Sequence, residues 1–316
     1  MSLLLSDRSV TRLAILGLAA CVLAIAPLRA QVRKLHTRDV TRLSQVQIAD
    51  HLKHSDIIFI PVGAVETNGI MPSARDYVAP LAYAMAMADE LDALYMPGLP
   101  WSYPGTTMIA PATINLSPSQ GVAALRPVAE SLMRSGFRRQ VYVSSGQGPA
   151  PLTAGTLVRE MFDEFRIPLL YIEMGDTIRR LNIPAANRNR ALYGAHYITG
   201  RIIDIPIKGD YGPLEAGEAG PSPANAGYEA LVKLGFSGSL NLGSFINDVM
   251  AHGGGTPTLA ATAAEREEWG KQGEAQIRAI VKQMKLAEAM AALKMHDEYT
   301  NNVLVPKFQK ILPGSR

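Results

Sequence analysis

Chemistry at neutral pH needs a nucleophile, a proton carrier or a metal. The single cysteine, Cys21, stands inside an apolar leader. A thiol nucleophile is therefore not expected in the body of the protein, nor is a disulfide or a cysteine metal site. Ser144-Ser145-Gly146-Gln147-Gly148 places serines after an apolar run. No glycine stands two residues before Ser145, so the spacing of a nucleophile elbow is missing. His252-Gly253-Gly254-Gly255 shares letters with an oxyanion loop but lacks a strand-turn-helix setting, and reads as a flexible loop. His196 carries the one side-chain type that titrates near neutrality. It reads either as an acid or base, or as a replacement metal ligand, or as a solvent-exposed or hydrogen-bonded loop histidine.

Elements must position such groups, and the hydrophobic pattern predicts them. Ile57-Ile58-Phe59-Ile60-Pro61-Val62-Gly63 is too short and too apolar for a surface helix and suits a buried parallel strand. Gln140 to Ser144 and Ile167 to Ile172 read the same way. Between them, Tyr77 to Leu94, Pro118 to about Ser135 and Leu152 to Phe165 have helical spacing. Ser117 is the expected cap of the second, Pro118 its first residue and Gly136 its stop. Val40 to Leu52 is helix-like, and Tyr95 to Gly98 reads as a short strand entering a loop. Alternating strands and helices predict an α/β fold with a mostly parallel sheet flanked by helices. Ala261 to Met295 predicts a helical C-terminal tail. In such sheets ligands bind beyond the carboxyl ends of the strands, so the loops after Val62 and after Ser144 are where chemistry is expected. The Pro-rich stretch from 97 to 118 is a further long loop, in which Trp101 and Tyr103 either line a pocket for a ring-shaped ligand or pack the loop down.

The N-terminus predicts export. Arg8 and Arg12 precede an apolar run from Leu13 to Leu28, and Leu28-Arg29-Ala30 closes on a small residue. This is the pattern of a secretory signal over residues 1–30, and the run is short of the roughly 20 residues a span needs. An uncleaved anchor is one alternative, and Leu18-Ala19-Ala20-Cys21 as a lipidation site is another. Each places residues 31–316, one α/β domain with helices from about 261, outside the cytoplasm: periplasmic, secreted, or held as a lipoprotein through Cys21. The net charge of +3, from 31 basic and 28 acidic side chains, gives no reason to expect nucleic acid. No membrane span is expected once the leader is removed.

Four segments resemble the creatininase family. Pro61-Val62-Gly63-Ala64-Val65-Glu66-Thr67-Asn68-Gly69, with Asp76 beyond it, is similar to the family's P-V-G-S-x-E-Q-H-G and following T-D. Pro111-Ala112-Thr113-Ile114-Asn115-Leu116-Ser117-Pro118 is similar to P-G-T-I-S-L-S-P. Gly136-Phe137-Arg138-Arg139, a strand, and Ser144-Ser145-Gly146-Gln147-Gly148 resemble G-F-R-R, a strand and N-G-H-G-G. Tyr193 to Thr199 is aligned with H-A-G-x-x-E-T. The resemblance implies an α/β sandwich, usually oligomeric, with two divalent ions at the strand ends. Their bound water would open a cyclic amide or related bond.

Carried across position by position, the resemblance implies Glu66 and Asp76 as metal ligands. It puts Asn68 and Gln147 where the family has histidines, Arg75 where it has threonine, and Tyr193 and Ile198 at the remaining His and Glu. Neutral amide oxygens are weak zinc ligands but suit a harder ion, while a guanidinium beside Asp76 would oppose any cation. The expected metal set is Glu66, Asp76 and Asn68 for a divalent ion (Zn, Mn or Mg), with His196 and Gln147 as catalytic candidates. The expected function is hydrolysis of a cyclic amide, lactam or lactone in the cell envelope by a homo-oligomer. The alternatives are a non-catalytic binding or assembly protein that has lost the binuclear site, and a metal-free hydrolase with Asp76 or His196 as base.

Overall fold

A computed structural model describes residues 35–66, 68–97, 113–114, 116–145, 150–210, 230–231, 233–235 and 258–311. The chain divides into two units, Met1–His36 and Thr37–Arg316. Of the first, only Leu35 and His36 are described, so the leader expected over 1–30, with Cys21, lies outside the described residues. So do Gln147, Trp101, Tyr103 and His252.

The second unit is built on four parallel strands in the order β2-β1-β3-β4. These are β1 Ile57–Pro61, β2 Leu94–Tyr95, β3 Arg139–Ser144 and β4 Leu170–Glu173. All five residues of β1 are buried, as expected of a parallel strand covered on both faces. The helices are α1 Gln45–His51, α2 Arg75–Leu91, α3 Pro118–Arg134, α4 Ala154–Phe165, α5 Met174–Arg180, α6 Ala191–Ile198, α7 Ala263–Gln283 and α8 Leu286–Tyr299. A π-helical stretch, Thr300–Leu304, runs into a short α9, Val305–Phe308. No helix among the described residues is long and apolar enough to cross a membrane.

The period of two divides the sheet's side chains. Phe59, Val141 and Val143 join Val78, Ala82, Met87 and Ile277 in the main core, beneath α2 and the C-terminal helices. Gln140, two residues before Tyr142, points the other way and donates through Nε2 to the Ala129 carbonyl of α3, at 2.9 Å. Tyr142 then donates to Gln140 Oε1 at 2.9 Å, so the buried polar pair is satisfied. At the amino ends of the strands, Arg139 pairs with Asp56.

Boundaries differ from the sequence reading where caps decide them. Ser117 and Gln120 form a full capping box, so α3 begins at Pro118 as expected. Ser44 does the same with Gln47, which splits the stretch from Val40 into a 3-10 turn, Val40–Arg42, and α1. Helix α2 starts at Arg75 rather than Tyr77 and ends at Leu91, where Asp92 turns left-handed (φ 52) and frees Leu94 and Tyr95 to join the sheet. The last strand is Leu170–Glu173, displaced toward the C-terminus from the predicted 167–172. The C-terminal helices are no appendage: Ile277, Ile280 and Val281 are 0–1% exposed within the core. Helix α7 reaches it through an unusually close crossing with α6. A Cβ on Gly273 would collide with the Arg190 carbonyl and the Gly194 backbone, so only glycine allows that approach.

Candidate functional site

The carboxyl end of β1 is where the expected residues gather. After Pro61 the chain stays paired to β3 through Val62 N–H donating to Val143 O, at 2.8 Å. It then doubles back. Glu66 N–H donates to Ser73 O, and Met71 N–H to Asn68 O, both at 3.0 Å, with Gly69 left-handed between them (φ 61). Gly63 makes the next step feasible. A Cβ there would lie 2.6 Å from Tyr77 Cα and against the Asp76 carbonyl. Its absence lets the first turn of α2 pack onto the strand end, and so brings Asp76 beside residues 66–68.

Asn68 joins the pieces. Its side chain is buried, at 4% exposure. Its Nδ2 donates to Asp76 Oδ2 at 2.9 Å and to the Glu66 carbonyl at 3.3 Å. Both amide hydrogens are thereby used. Oδ1 of the same amide is buried and has no partner. Glu66 is 3% exposed. Asp76 stands in the first turn of α2, whose N-cap, Ala74, supplies no side-chain bond. The positive end of the helix dipole favours a carboxylate there. Arg75 Nε lies 3.9 Å from Asp76 Oδ1, a loose pairing rather than a clamp.

His196 is the remaining expected side chain. It sits on α6, not in a loop, at 5% exposure, with Nδ1 unpartnered. Burial lowers its pKa most, and Arg266 and Arg201 lower it further. A hydrogen bond with the Ile203 backbone and the charge of Asp204 act the other way. Among the described residues no three His, Cys, Asp or Glu side chains gather as a metal-holding group, so His196 does not complete a site with Glu66 and Asp76.

Sequence reasoning overlooked one polar pair at the neighbouring strand ends. Ser144, last in β3, and Tyr171 in β4 have their hydroxyl oxygens 2.7 Å apart. Burial is the main cause that pushes the Tyr171 phenol up to about 12. The strand-end rule pointed to Ser144, but nothing in the sequence showed that Tyr171 would register beside it.

The described residues do not fit a pair of divalent ions. Two carboxylates, Glu66 and Asp76, face four positive charges, and Arg75 offsets part of even that. Where a cation would meet Asp76 Oδ2, the Asn68 amide directs an N–H instead.

Fold and site together define a class, an α/β protein whose parallel sheet gathers acidic and amide side chains at a strand's carboxyl end. Comparison adds a family likeness. Residues 41–187 match the creatininase family model, described as creatinine amidohydrolase. A structure from Bacteroides fragilis NCTC 9343, assigned as a creatinine amidohydrolase, shares the fold. It has a TM-score of 0.53 and 14% identity, and the match covers 84% of this chain and 98% of that one. A creatinine amidohydrolase (creatininase) is 18% identical, with a TM-score of 0.49 and coverage of 79% and 98%. A creatininase of the zinc–zinc type is 17% identical, with a TM-score of 0.46 and coverage of 79% and 99%. Among curated proteins none matches the chain.

Proposed function

We propose that this chain is a cell-envelope protein of creatininase fold that binds a small cyclic amide, lactam or lactone at the Glu66–Asn68–Asp76 cluster without the binuclear ions of its relatives. One observation carries this reading: Asn68 holds Asp76 through an N–H, at 2.9 Å, in place of a cation. A donor that satisfies a partly buried carboxylate removes much of the electrostatic need for a metal. The remaining groups are those of a recognition site, a buried amide and a carboxylate at the mouth of a parallel sheet.

A second reading keeps the chemistry of the family. Creatininases are described in manganese and zinc–zinc forms, and here Glu66, Asp76 and Asn68 would hold one divalent ion (Zn, Mn or Mg). Bound, such an ion polarises a carbonyl and acidifies water. The chain would be a ring-opening hydrolase. What favours this is the family match over residues 41–187 together with the unpartnered Oδ1 of Asn68.

Metal analysis of protein purified after growth with zinc, manganese and magnesium separates the two. The first reading expects less than a tenth of an equivalent of any of them and no ring opening. A full equivalent, with turnover that Asp76→Ala abolishes, would overturn it in favour of the second. Export and self-association belong to the same proposal. A mature N-terminus at Gln31, or a lipidated Cys21, supports export, and a mass in solution above that of one chain supports a homo-oligomer.

A further inference from the structure

We propose that the end of α8, the π-helical stretch and α9 form a face that docks on an anionic phospholipid surface. Tyr299, Val303, Phe308 and Ile311 enter the headgroup region, and Lys307 and Lys310 pair with lipid phosphates. The proposal concerns the C-terminal helices and does not depend on what the strand-end cluster binds.

An amphipathic helix ordinarily turns its apolar side to the core. Helix α8 does so as far as Leu293, burying Leu286, Met290 and Leu293. Beyond Leu293 the two sides are exchanged. Asp297 pairs with Arg138 at 3.2 Å. Thr300 is 1% exposed. Asn301 Nδ2 donates to Asp297 Oδ1 at 2.8 Å and to the Arg166 carbonyl at 3.4 Å. Polar side chains therefore hold this segment to the body. Met295, Tyr299 and Val303, four residues apart, share another side, and they are 70%, 52% and 43% exposed. Phe308 and Ile311 follow, and both are exposed as well. Pro306 accounts for the widened turn between them. It has no N–H for the Asn302 carbonyl, and Val305 N–H reaches back five residues to Thr300 O.

An exposed group of large apolar side chains marks a contact with protein or membrane, and charge decides which. From Tyr299 to Arg316 the sequence has Lys307, Lys310 and Arg316 and no acidic residue. These three equal the net charge of the whole chain, +3. Glu298 borders the face, with Lys294 Nζ 4.0 Å from it. Lysine is depleted in protein interfaces. Aromatic and aliphatic side chains set among lysines are the composition of a helix lying in the plane of an anionic bilayer. The Lys307 ammonium lies 5.2 Å from the centre of the Phe308 ring. Ring and charge thus stand side by side, a pairing suited to the boundary between acyl chains and headgroups.

The test is flotation of the full chain with two kinds of vesicle, phosphatidylcholine and phosphatidylglycerol in equal parts, and phosphatidylcholine alone. Binding to the anionic vesicles is expected to be at least about tenfold stronger and to weaken as salt is raised. Lys307→Glu with Lys310→Glu should remove that preference. Phe308→Ser with Ile311→Ser should lower binding to the anionic vesicles about tenfold. All four side chains are exposed, so neither double variant removes core packing. Equal or undetectable binding to the two kinds of vesicle would overturn the proposal. So would binding that either double variant leaves unchanged, which would assign it to another part of the chain, such as the leader. A lower solution mass in Phe308→Ser with Ile311→Ser, at unchanged vesicle binding, would give the face to a second copy of the chain instead.

Discussion

Asn68 shows how one side chain can change the electrostatics of a strand end. Imidazole at that position, as in the family motif, would be a metal ligand, whereas an amide offers an N–H to one neighbour and an oxygen to another. The Asp76 carboxylate depends on that N–H. Asp76→Ala would leave the buried Nδ2 of Asn68 short of an acceptor and is expected to destabilise the protein by about 1–3 kcal/mol, measured as a lower urea midpoint at unchanged slope. His196 and His51 give a second prediction at this scale. Both are buried, and burial lowers both pKa values. A neutral imidazole is thus preferred in the folded chain, and the unfolded chain takes up the proton first. Their contribution to stability is complete above the unfolded value of about 6.5 and is lost as pH falls through the depressed folded value. Urea midpoints measured from pH 8 to pH 5 should fall below about pH 6.5. His196→Gln should flatten that fall, and an unchanged profile would remove His196 from the account.

Elements of the fold meet at two close approaches that only glycine permits, one of them at the site. At Gly63 the backbone of α2 comes against the end of β1, and at Gly273 the backbone of α6 comes against α7. An added methyl meets main chain in each case, and main chain cannot rotate away. Gly63→Ala is expected to cost about 1–3 kcal/mol and to shift the first turn of α2, loosening the Asp76–Asn68 bond. Gly273→Ala should cost a similar amount without affecting ring binding. Thermal melts of both variants, set beside ring titrations, separate the two effects; a Gly63→Ala protein of wild-type stability would contradict the packing described.

The whole molecule depends on helices outside the family segment. The match ends at residue 187, yet α6 and α7 lie beyond it, and Tyr193, Ile277 and Ile280 complete the core on the α2 face of the sheet. No described contact in that core depends on a metal. An excess of EDTA is therefore expected to leave the melting temperature unmoved. A clear drop would reveal an ion bound to the native state and favour the hydrolase reading, because any ligand of the native state alone raises stability.

Much of the architecture was legible in the sequence. The apolar runs at 57–63 and 140–144 were read as buried parallel strands, and Ser117-Pro118 as a helix start, because burial on both faces and capping are local properties that local residues encode. The family likeness was legible too, since its motifs are contiguous at strand ends. What needed tertiary structure was every relation between distant residues. Spacing did not reveal that α2 begins two residues early and so carries Asp76 in its first turn. Nor did it show that His196 lies on a helix, or that Tyr171 registers beside Ser144. The direction of the Asn68 amide is the sharpest case. An amide has a donor end and an acceptor end, and only the partners folded around it, the Glu66 carbonyl and the Asp76 carboxylate, determined which end would be satisfied and which left empty.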